Sequence, residues 1–142
     1  PRGSQGTQCP DYTYEGKDFD IIGNESNSKC IVTYGREFSS CYEAMLEANN
    51  AFIVKLNKIK PISKSVFSHF KNVNDIYFFE EGIKSGGVGE VFASMLAQSG
   101  IKSDFHHICV NDEFIKQASV QSQLSKYSLD KQGVINVLNE EN

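Results

Sequence analysis

Two adjacent carboxylates and a glycine-rich turn are the features of this chain whose residue types and spacing come closest to chemistry. Glu80 and Glu81 follow the apolar run at 76–79, and a Gly-Gly-Val-Gly segment follows at 86–89. Paired carboxylates can divide the roles of general acid and base, and free amides at the start of a helix can bind phosphate. The apolar run suits a central strand of a parallel sheet, and open α/β sheets place ligands at the carboxyl ends of such strands.

Each of these chemical interpretations meets a structural objection. The glycine segment matches neither the G-x-G-x-x-G pattern nor a P-loop, and Glu80, Glu81 and Glu90 would repel a phosphate. A tight turn that brings helix and strand together explains the glycines better. Glu80 and Glu81 point to opposite sides of an extended backbone, so they cannot share a proton. Helix capping or an interface salt bridge is the expected role of this pair.

The histidines and cysteines give no catalytic or metal site. His106 and His107 are consecutive in a predicted strand and therefore face away from each other, while His69 lies on a short amphipathic helix as a surface or core-edge residue. The four cysteines lack the C-x-x-C spacing of zinc and redox sites, and we expect reduced, mostly buried thiols at Cys9, Cys30, Cys41 and Cys109. The sequence therefore predicts no catalytic, cofactor-binding or metal-binding residue by chemistry alone.

Composition limits the class of protein and its partners. With 142 residues and 39% hydrophobic side chains, the chain can form one core of ordinary size. A net charge of −4 and scattered lysines argue against a nucleic-acid surface. The sequence contains no apolar stretch of the roughly 20 residues that a bilayer span requires, nor a signal-peptide pattern at its start. We expect a soluble, cytoplasmic protein with neither nucleic-acid nor membrane partners.

The hydrophobic pattern predicts an α/β fold. Residues 1–15 are expected to form a linker or the end of a preceding domain, and residues 16–142 one domain. Alternating strands and helices predict a three-layer α/β/α arrangement around a mostly parallel, mixed sheet of about five strands. Phe19–Ile22 and Cys30–Tyr34 are expected to pair as an antiparallel hairpin. The other predicted elements are helices from Ser39 or Ser40, from Ser63 to Phe70, after Gly87, near Val120–Lys126 and from Ser128 or Leu129, and strands at 51–56, 76–79 and 105–110.

Several short motifs, in order along almost the whole chain, resemble the C-terminal domain of transketolase-type thiamine-diphosphate enzymes. They include the strand that ends in Glu80-Glu81, the glycine-rich helix start at 86–89 and the segment Val110–Ile115. Within that superfamily the chain most resembles the 1-deoxy-D-xylulose-5-phosphate synthase family. The motifs that carry this finer resemblance are Pro1-Arg2-Gly3, Thr33-Tyr34-Gly35, Lys60-Pro61-Ile62 and the segment Tyr127–Val134. The charged segment Arg36-Glu37-Phe38 departs from the family pattern.

The resemblance implies a function that belongs to a longer parent enzyme. Such a parent would condense pyruvate with glyceraldehyde 3-phosphate, release carbon dioxide and supply isoprenoid, thiamine and pyridoxal synthesis, using thiamine diphosphate and Mg²⁺. The family holds this cofactor with a Gly-Asp-Gly motif and a glutamate on its N-terminal and central domains, and this chain has neither motif. The chain itself is therefore expected to bind no cofactor and to serve assembly, with sibling domains and a homodimer mate as partners. Arg2 is the one candidate for contact with the substrate phosphate.

Two alternatives stay open at the level of sequence. A transketolase and the β subunit of a 2-oxo-acid dehydrogenase share this domain, so both remain alternatives to the synthase. A free-standing, non-catalytic binding module that uses the strand ends around Glu81 and Asp112 is a hypothesis of a different class. A start at Pro1, inside a family motif, favours a piece of a longer polypeptide.

Overall fold

Strands and helices alternate along the chain as the hydrophobic pattern predicts. The computed structural model describes residues 16–83, 87–110 and 130–140. The elements within these residues are β1 (Phe19–Ile22), β2 (Lys29–Tyr34), α1 (Glu37–Ala48), β3 (Phe52–Leu56), a 3₁₀ helix (Lys64–Phe70), β4 (Asp75–Ile83), α2 (Val88–Ser99), β5 (Asp104–Val110) and α3 (Lys131–Asn139). The arm predicted at 1–15 and the helix predicted near Val120–Lys126 lie outside the described residues.

The five strands of the described residues form one mixed sheet in the order β1-β3-β2-β4-β5. β2 is parallel to both β3 and β4, and β5 is parallel to β4, whereas β1 runs antiparallel to β3. The crossovers pass through α1, the 3₁₀ helix and α2, since parallel neighbours cannot be joined by a tight turn. The predicted mixed, mostly parallel sheet is confirmed.

The predicted hairpin between the first two strands is wrong. β1 pairs with β3, with Ile22 opposite Ile53, and β2 lies on the other side of β3. Burial explains the arrangement, because the β2 residues at 30–33 are fully buried, whereas all four β1 residues are half-buried. A strand that is apolar on both faces is stabilised in the centre of the sheet, and a half-buried strand suits its edge.

Alternate strand residues supply the two apolar layers on either side of the sheet. On one face Ile31, Ile53 and Tyr77 pack against α1 and α3. On the other face Val32, Val54 and Phe78 pack against the 3₁₀ helix and α2. This second layer is rich in stacked and edge-on aromatic rings contributed by Phe67, Phe70, Phe78, Phe92 and Phe105. The three-layer α/β/α architecture is therefore confirmed.

The starts of two helices differ from the sequence predictions. α1 begins at Glu37, with Arg36 rather than Ser39 or Ser40 before its first turn. Gly35 turns the chain with φ 66°, and its carbonyl accepts the Phe38 amide at 3.2 Å, so the helix is already formed before the serines. α3 begins at Lys131, with Asp130 accepting the Gly133 amide at 2.8 Å. The predicted end of α2 at Gly100 is confirmed by its left-handed φ of 83°.

Candidate functional site

The polar residues singled out in the sequence meet at the edge of the sheet where β2, β4 and β5 end. α1 begins just after β2, and α2 begins a few residues after β4, so two helix N-termini face the same edge. Both N-termini carry partial positive charge and favour nearby carboxylates. We call this region the carboxyl-end corner, and it consists of Tyr34, Arg36, Glu37, Glu80, Glu81, Gly89 and His107.

Glu80 is the most deeply buried charged group of the corner, with 1% of its surface exposed. Its Oε2 accepts the Tyr34 hydroxyl at 2.7 Å. Its Oε1 accepts the Gly89 amide at 2.8 Å and lies 2.5 Å from His107 Nε2. One carboxylate thus joins β2, β4, β5 and the first turn of α2.

The balance of burial and hydrogen bonding keeps Glu80 ionised. Burial by itself would raise the pKa of Glu80, but the bonds from His107, Tyr34 and Gly89 together outweigh it and hold the pKa below its ordinary value. A buried carboxylate with this many donors is a structural anchor. Because α2 has no cap from its own Gly87, Glu80 caps that helix from the neighbouring strand. The predicted capping role is confirmed.

Gly89 has no room for a side chain. An added Cβ would lie 2.2 Å from His107 Nε2 and 2.7 Å from Glu80 Oε1, well inside van der Waals contact. The glycine therefore allows α2 to approach the sheet closely, as the sequence predicts. Its amide is already bonded to Glu80, so a carboxylate of the chain itself takes the position that a bound phosphate would need.

Glu81 lies on the opposite face of β4 and pairs with Arg36. Arg36 Nε lies 3.1 Å and Nη2 2.5 Å from Glu81 Oε1, and Nε is also 3.2 Å from Oε2. The hydrogen bond to Glu81 raises the pKa of Arg36 above its ordinary value. With 44% of the Arg36 side chain exposed, water screens this pair. Glu80 and Glu81 thus have separate partners on separate faces, and they do not form the acid and base pair considered above.

Glu37 was not among the residues that sequence reasoning identified as a candidate. It is 2% exposed, and its Oε1 has no hydrogen-bond partner within the described part of the chain. Burial, followed by the negative charges of Glu81 and Asp130, raises its pKa to about 9. The sequence does contain a signal, because the apolar stripe through Cys41 and Met45, extended back by one turn, places Glu37 on the buried face of α1.

The remaining candidates do not come together as a site. His106 stacks on Tyr77 at 4.7 Å and pairs with Asp75 at 3.0 Å, on the face of the sheet away from His107. His69 pairs with Glu25 at 2.9 Å on the surface. Arg2, Cys9 and Asp112 lie outside the described residues, and so does the side chain of Cys109.

The described residues contain neither a disulfide nor a metal cluster. Cys30 and Cys41 are free and buried. Among the residues at 16–83, 87–110 and 130–140, no group of three or more metal-ligating side chains converges. In the same ranges no helix has both the length and the apolar composition of a membrane span. In the carboxyl-end corner, hydrogen bonds between polar groups join β2, β4, β5 and α2, and the pair of Arg36 with Glu81 joins the start of α1 to β4.

Three comparisons with known proteins agree with this architecture. A family model described as the transketolase C-terminal domain matches residues 21–134. The 1-deoxy-D-xylulose-5-phosphate synthase of Nitrosomonas eutropha is 26% identical over 120 residues, which cover 84% of this chain and 19% of that protein. The synthase of the same name from Pseudoalteromonas atlantica is 27% identical over 140 residues, covering 95% of this chain and 22% of that protein.

A solved structure adds evidence for the fold. A split gene transketolase, in the form of an inactive β4 tetramer, superimposes with a TM-score of 0.75 at 25% identity, covering 91% of this chain and 43% of that one. The chain spans about a fifth of the length of the two synthases. Since the family model covers most of the chain, and the fold and the relatives agree with it, this chain belongs to the transketolase C-terminal domain family.

Proposed function

We propose that this chain is the C-terminal domain of a 1-deoxy-D-xylulose-5-phosphate synthase. The parent enzyme condenses pyruvate with glyceraldehyde 3-phosphate, with loss of carbon dioxide, as a transferase at the start of isoprenoid precursor synthesis. The observation that carries the proposal is the relation to synthases of that name along up to 95% of this chain. The small share of each synthase that the chain covers supports a multidomain parent, in which residues 1–15 end the preceding domain and residues 16–142 form this one.

The role of the domain within the parent is assembly. The carboxyl ends of the strands, where an α/β sheet offers a ligand site, are occupied by the chain's own groups: Glu80 bonds Tyr34, Gly89 and His107, and Glu81 bonds Arg36. We infer that the helices and sheet edges pack against the N-terminal and central domains and against a homodimer mate, in the cytoplasm. Arg2 is proposed to reach the substrate phosphate from the link to the central domain.

Thiamine diphosphate and Mg²⁺ are assigned to the other domains of the parent. The described residues do not fit the cofactor, because Glu80 occupies the amide at the start of α2 and would repel a diphosphate there. Within those residues no three His, Cys, Asp or Glu side chains converge as an all-protein metal cage would require. When bound elsewhere in the parent, thiamine diphosphate would supply the nucleophile and electron sink of the reaction.

A transketolase is the second candidate, and the structural likeness to a split gene transketolase favours it. The two candidates differ in the substrates that the full-length parent accepts. The purified parent, supplied with thiamine diphosphate and Mg²⁺, is assayed with pyruvate and glyceraldehyde 3-phosphate, and separately with xylulose 5-phosphate and ribose 5-phosphate. We expect 1-deoxy-D-xylulose 5-phosphate and carbon dioxide in the first assay. Product in the second assay alone would contradict the assignment as a synthase and support a transketolase.

The hypothesis of a free-standing module is tested by size. The native protein is detected in its source cells with an antibody against this domain, and its mass is measured. We expect a species several times heavier than the 15.9 kDa of this chain. A native species of about that mass would contradict the multidomain parent and favour an independent binding protein.

A further inference from the structure

Glu37 is an acidic side chain that this fold buries with one carboxyl oxygen unpaired among the described residues. It lies in the first turn of α1, with 2% of its surface exposed. Its Oε1 accepts no hydrogen bond from the described residues, and its Oε2 has only the Cys41 thiol, at a sulfur to oxygen distance of 4.0 Å. An ionised carboxylate in such a place loses its hydration and has almost no hydrogen bonds to replace it.

Among the charged groups that act on Glu37, two carboxylates oppose its ionisation and one guanidinium favours it. Arg36, at the start of the same helix, acts on Glu37 with positive charge, but this effect on the pKa is smaller than those of burial, Glu81 and Asp130. Both Nε and Nη2 of its guanidinium bond Glu81. Glu81 on β4 and Asp130 at the start of α3 both act on Glu37 with negative charge. The Asp130 carboxylate is itself engaged by the Gly133 amide. The thiol of Cys41, four residues along α1, is the remaining titratable neighbour.

We propose that Glu37 is a proton-linked latch, in which the first turn of α1 stays packed on the sheet and on α3 while the carboxyl group holds a proton. When the turn opens, the carboxyl group reaches water and releases that proton to the solvent. The contacts that would be lost are those of Phe38 and Cys41, which are 3% and 0% exposed in the closed form. The carboxyl O–H bond breaks and water or buffer accepts the proton, while no other covalent bond changes.

The burial also sets the size of the pH response. A folded pKa of about 9 is far above the ordinary glutamate value of 4.5, so each opening event releases close to one proton throughout the neutral range. The equilibrium constant for opening should then rise about tenfold for each pH unit between these limits. The linkage works near neutral pH even though the closed form titrates only at about pH 9.

Thiol alkylation measures the opening directly. The 142-residue chain is treated with iodoacetamide at several pH values from 6 to 8.5, and mass spectrometry of peptides gives separate rates for Cys41 and Cys30. Cys30 is also fully buried, but it lies in the other apolar layer and reports global unfolding. The Cys41 rate of the wild type is divided by that of Glu37→Gln at the same pH, which cancels the ionisation of the thiol itself.

The latch predicts a specific set of rates. The ratio of wild type to Glu37→Gln at Cys41 should rise about tenfold per pH unit, and Cys41 should react well before Cys30 in the wild type. Glu43→Gln makes the same substitution at a half-buried position of α1, and this variant should behave like the wild type. A ratio that stays constant with pH would overturn the proposal, as would Cys30 reacting as fast as Cys41, or Glu43→Gln reproducing the effect of Glu37→Gln.

Hydrogen exchange provides a second measurement that does not depend on thiol chemistry. After correction for intrinsic exchange rates, the amides of the first two turns of α1 should lose protection with rising pH in the wild type and not in Glu37→Gln. The amides of α2 serve as the reference, because that helix is held at its start by Glu80. Equal loss of protection in α1 and α2 would contradict a local latch.

Discussion

Replacing Gly89 by alanine tests the close approach between α2 and the sheet. The new Cβ would lie 2.2 Å from Nε2 and 2.6 Å from Cε1 of His107, and 2.7 Å from Oε1 of Glu80. The imidazole cannot simply turn away, because its side chain is only 9% exposed and it packs edge-on against Phe78 at 5.7 Å between ring centroids. Either His107 or the first turn of α2 must move, and both movements break bonds to Glu80.

The expected cost follows from what Glu80 loses. Taking a partner away from a buried charge costs about 3–5 kcal/mol. Alanine is the better helix former by about 1 kcal/mol, which offsets part of the loss. We therefore expect the free energy of unfolding to fall by about 2–4 kcal/mol in Gly89→Ala.

Urea unfolding, followed by circular dichroism, measures this change. Ser94→Ala, at an exposed position of α2, is the control for helix propensity and should change stability by less than about 0.5 kcal/mol. The decisive comparison is Gly89→Ala in a His107→Ala background, where the missing ring leaves space for the new methyl group. The cost of Gly89→Ala should be smaller there, because only the close contact with Glu80 Oε1 at 2.7 Å remains. An equal cost with and without the His107 ring would refute the steric reasoning.

Three further predictions concern charge and cofactor. Glu37→Gln removes a carboxyl group whose pKa is raised from 4.5 to about 9. In urea titrations the wild type should therefore lose stability relative to the variant as pH rises from about 4.5 towards 9, by about 3 kcal/mol at pH 7. Equal pH profiles of the two proteins would contradict the burial argument. Arg36→Ala should lower the free energy of unfolding by less than about 1 kcal/mol, because the pair with Glu81 is partly exposed, and a loss of several kcal/mol would show that the pair is buried in solution. Thiamine diphosphate with Mg²⁺ should leave the melting temperature of the 142-residue chain unchanged, since a ligand stabilises only a protein that binds it. A melting temperature that rises with ligand concentration would overturn the assignment of the cofactor to other domains.

The sequence predicts much of this fold because the relevant signals are local. The apolar run before Glu80 produces a central strand, and the glycines after it produce a close helix start. Strand alternation correctly separates Glu80 from Glu81. It also separates His106 from His107, since period 2 sends consecutive side chains to opposite faces.

The errors concern partners that are distant in the sequence. The apolar pattern of the first two strands and the turn residues at 23–28 fit a hairpin. They do not reveal that β1 pairs with β3 and not with β2. The serines at 39 and 40 match a capping preference, but the backbone turn at Gly35 starts α1 earlier. The convergence of Tyr34, Gly89 and His107 on Glu80 depends on the order of the strands in the sheet, which no local pattern contains.

The turnover number of a Glu80→Gln variant of the proposed full-length parent tests the central proposal, that the carboxyl-end corner holds the domain together and that the chemistry takes place elsewhere. The rate is measured with saturating pyruvate and glyceraldehyde 3-phosphate, at a temperature where the variant stays folded, and the melting temperature is recorded on the same samples. We predict a clearly lower melting temperature with kcat within about twofold of the wild type. A loss of kcat of about tenfold or more, with the melting temperature unchanged, would contradict the account and place this corner in the reaction.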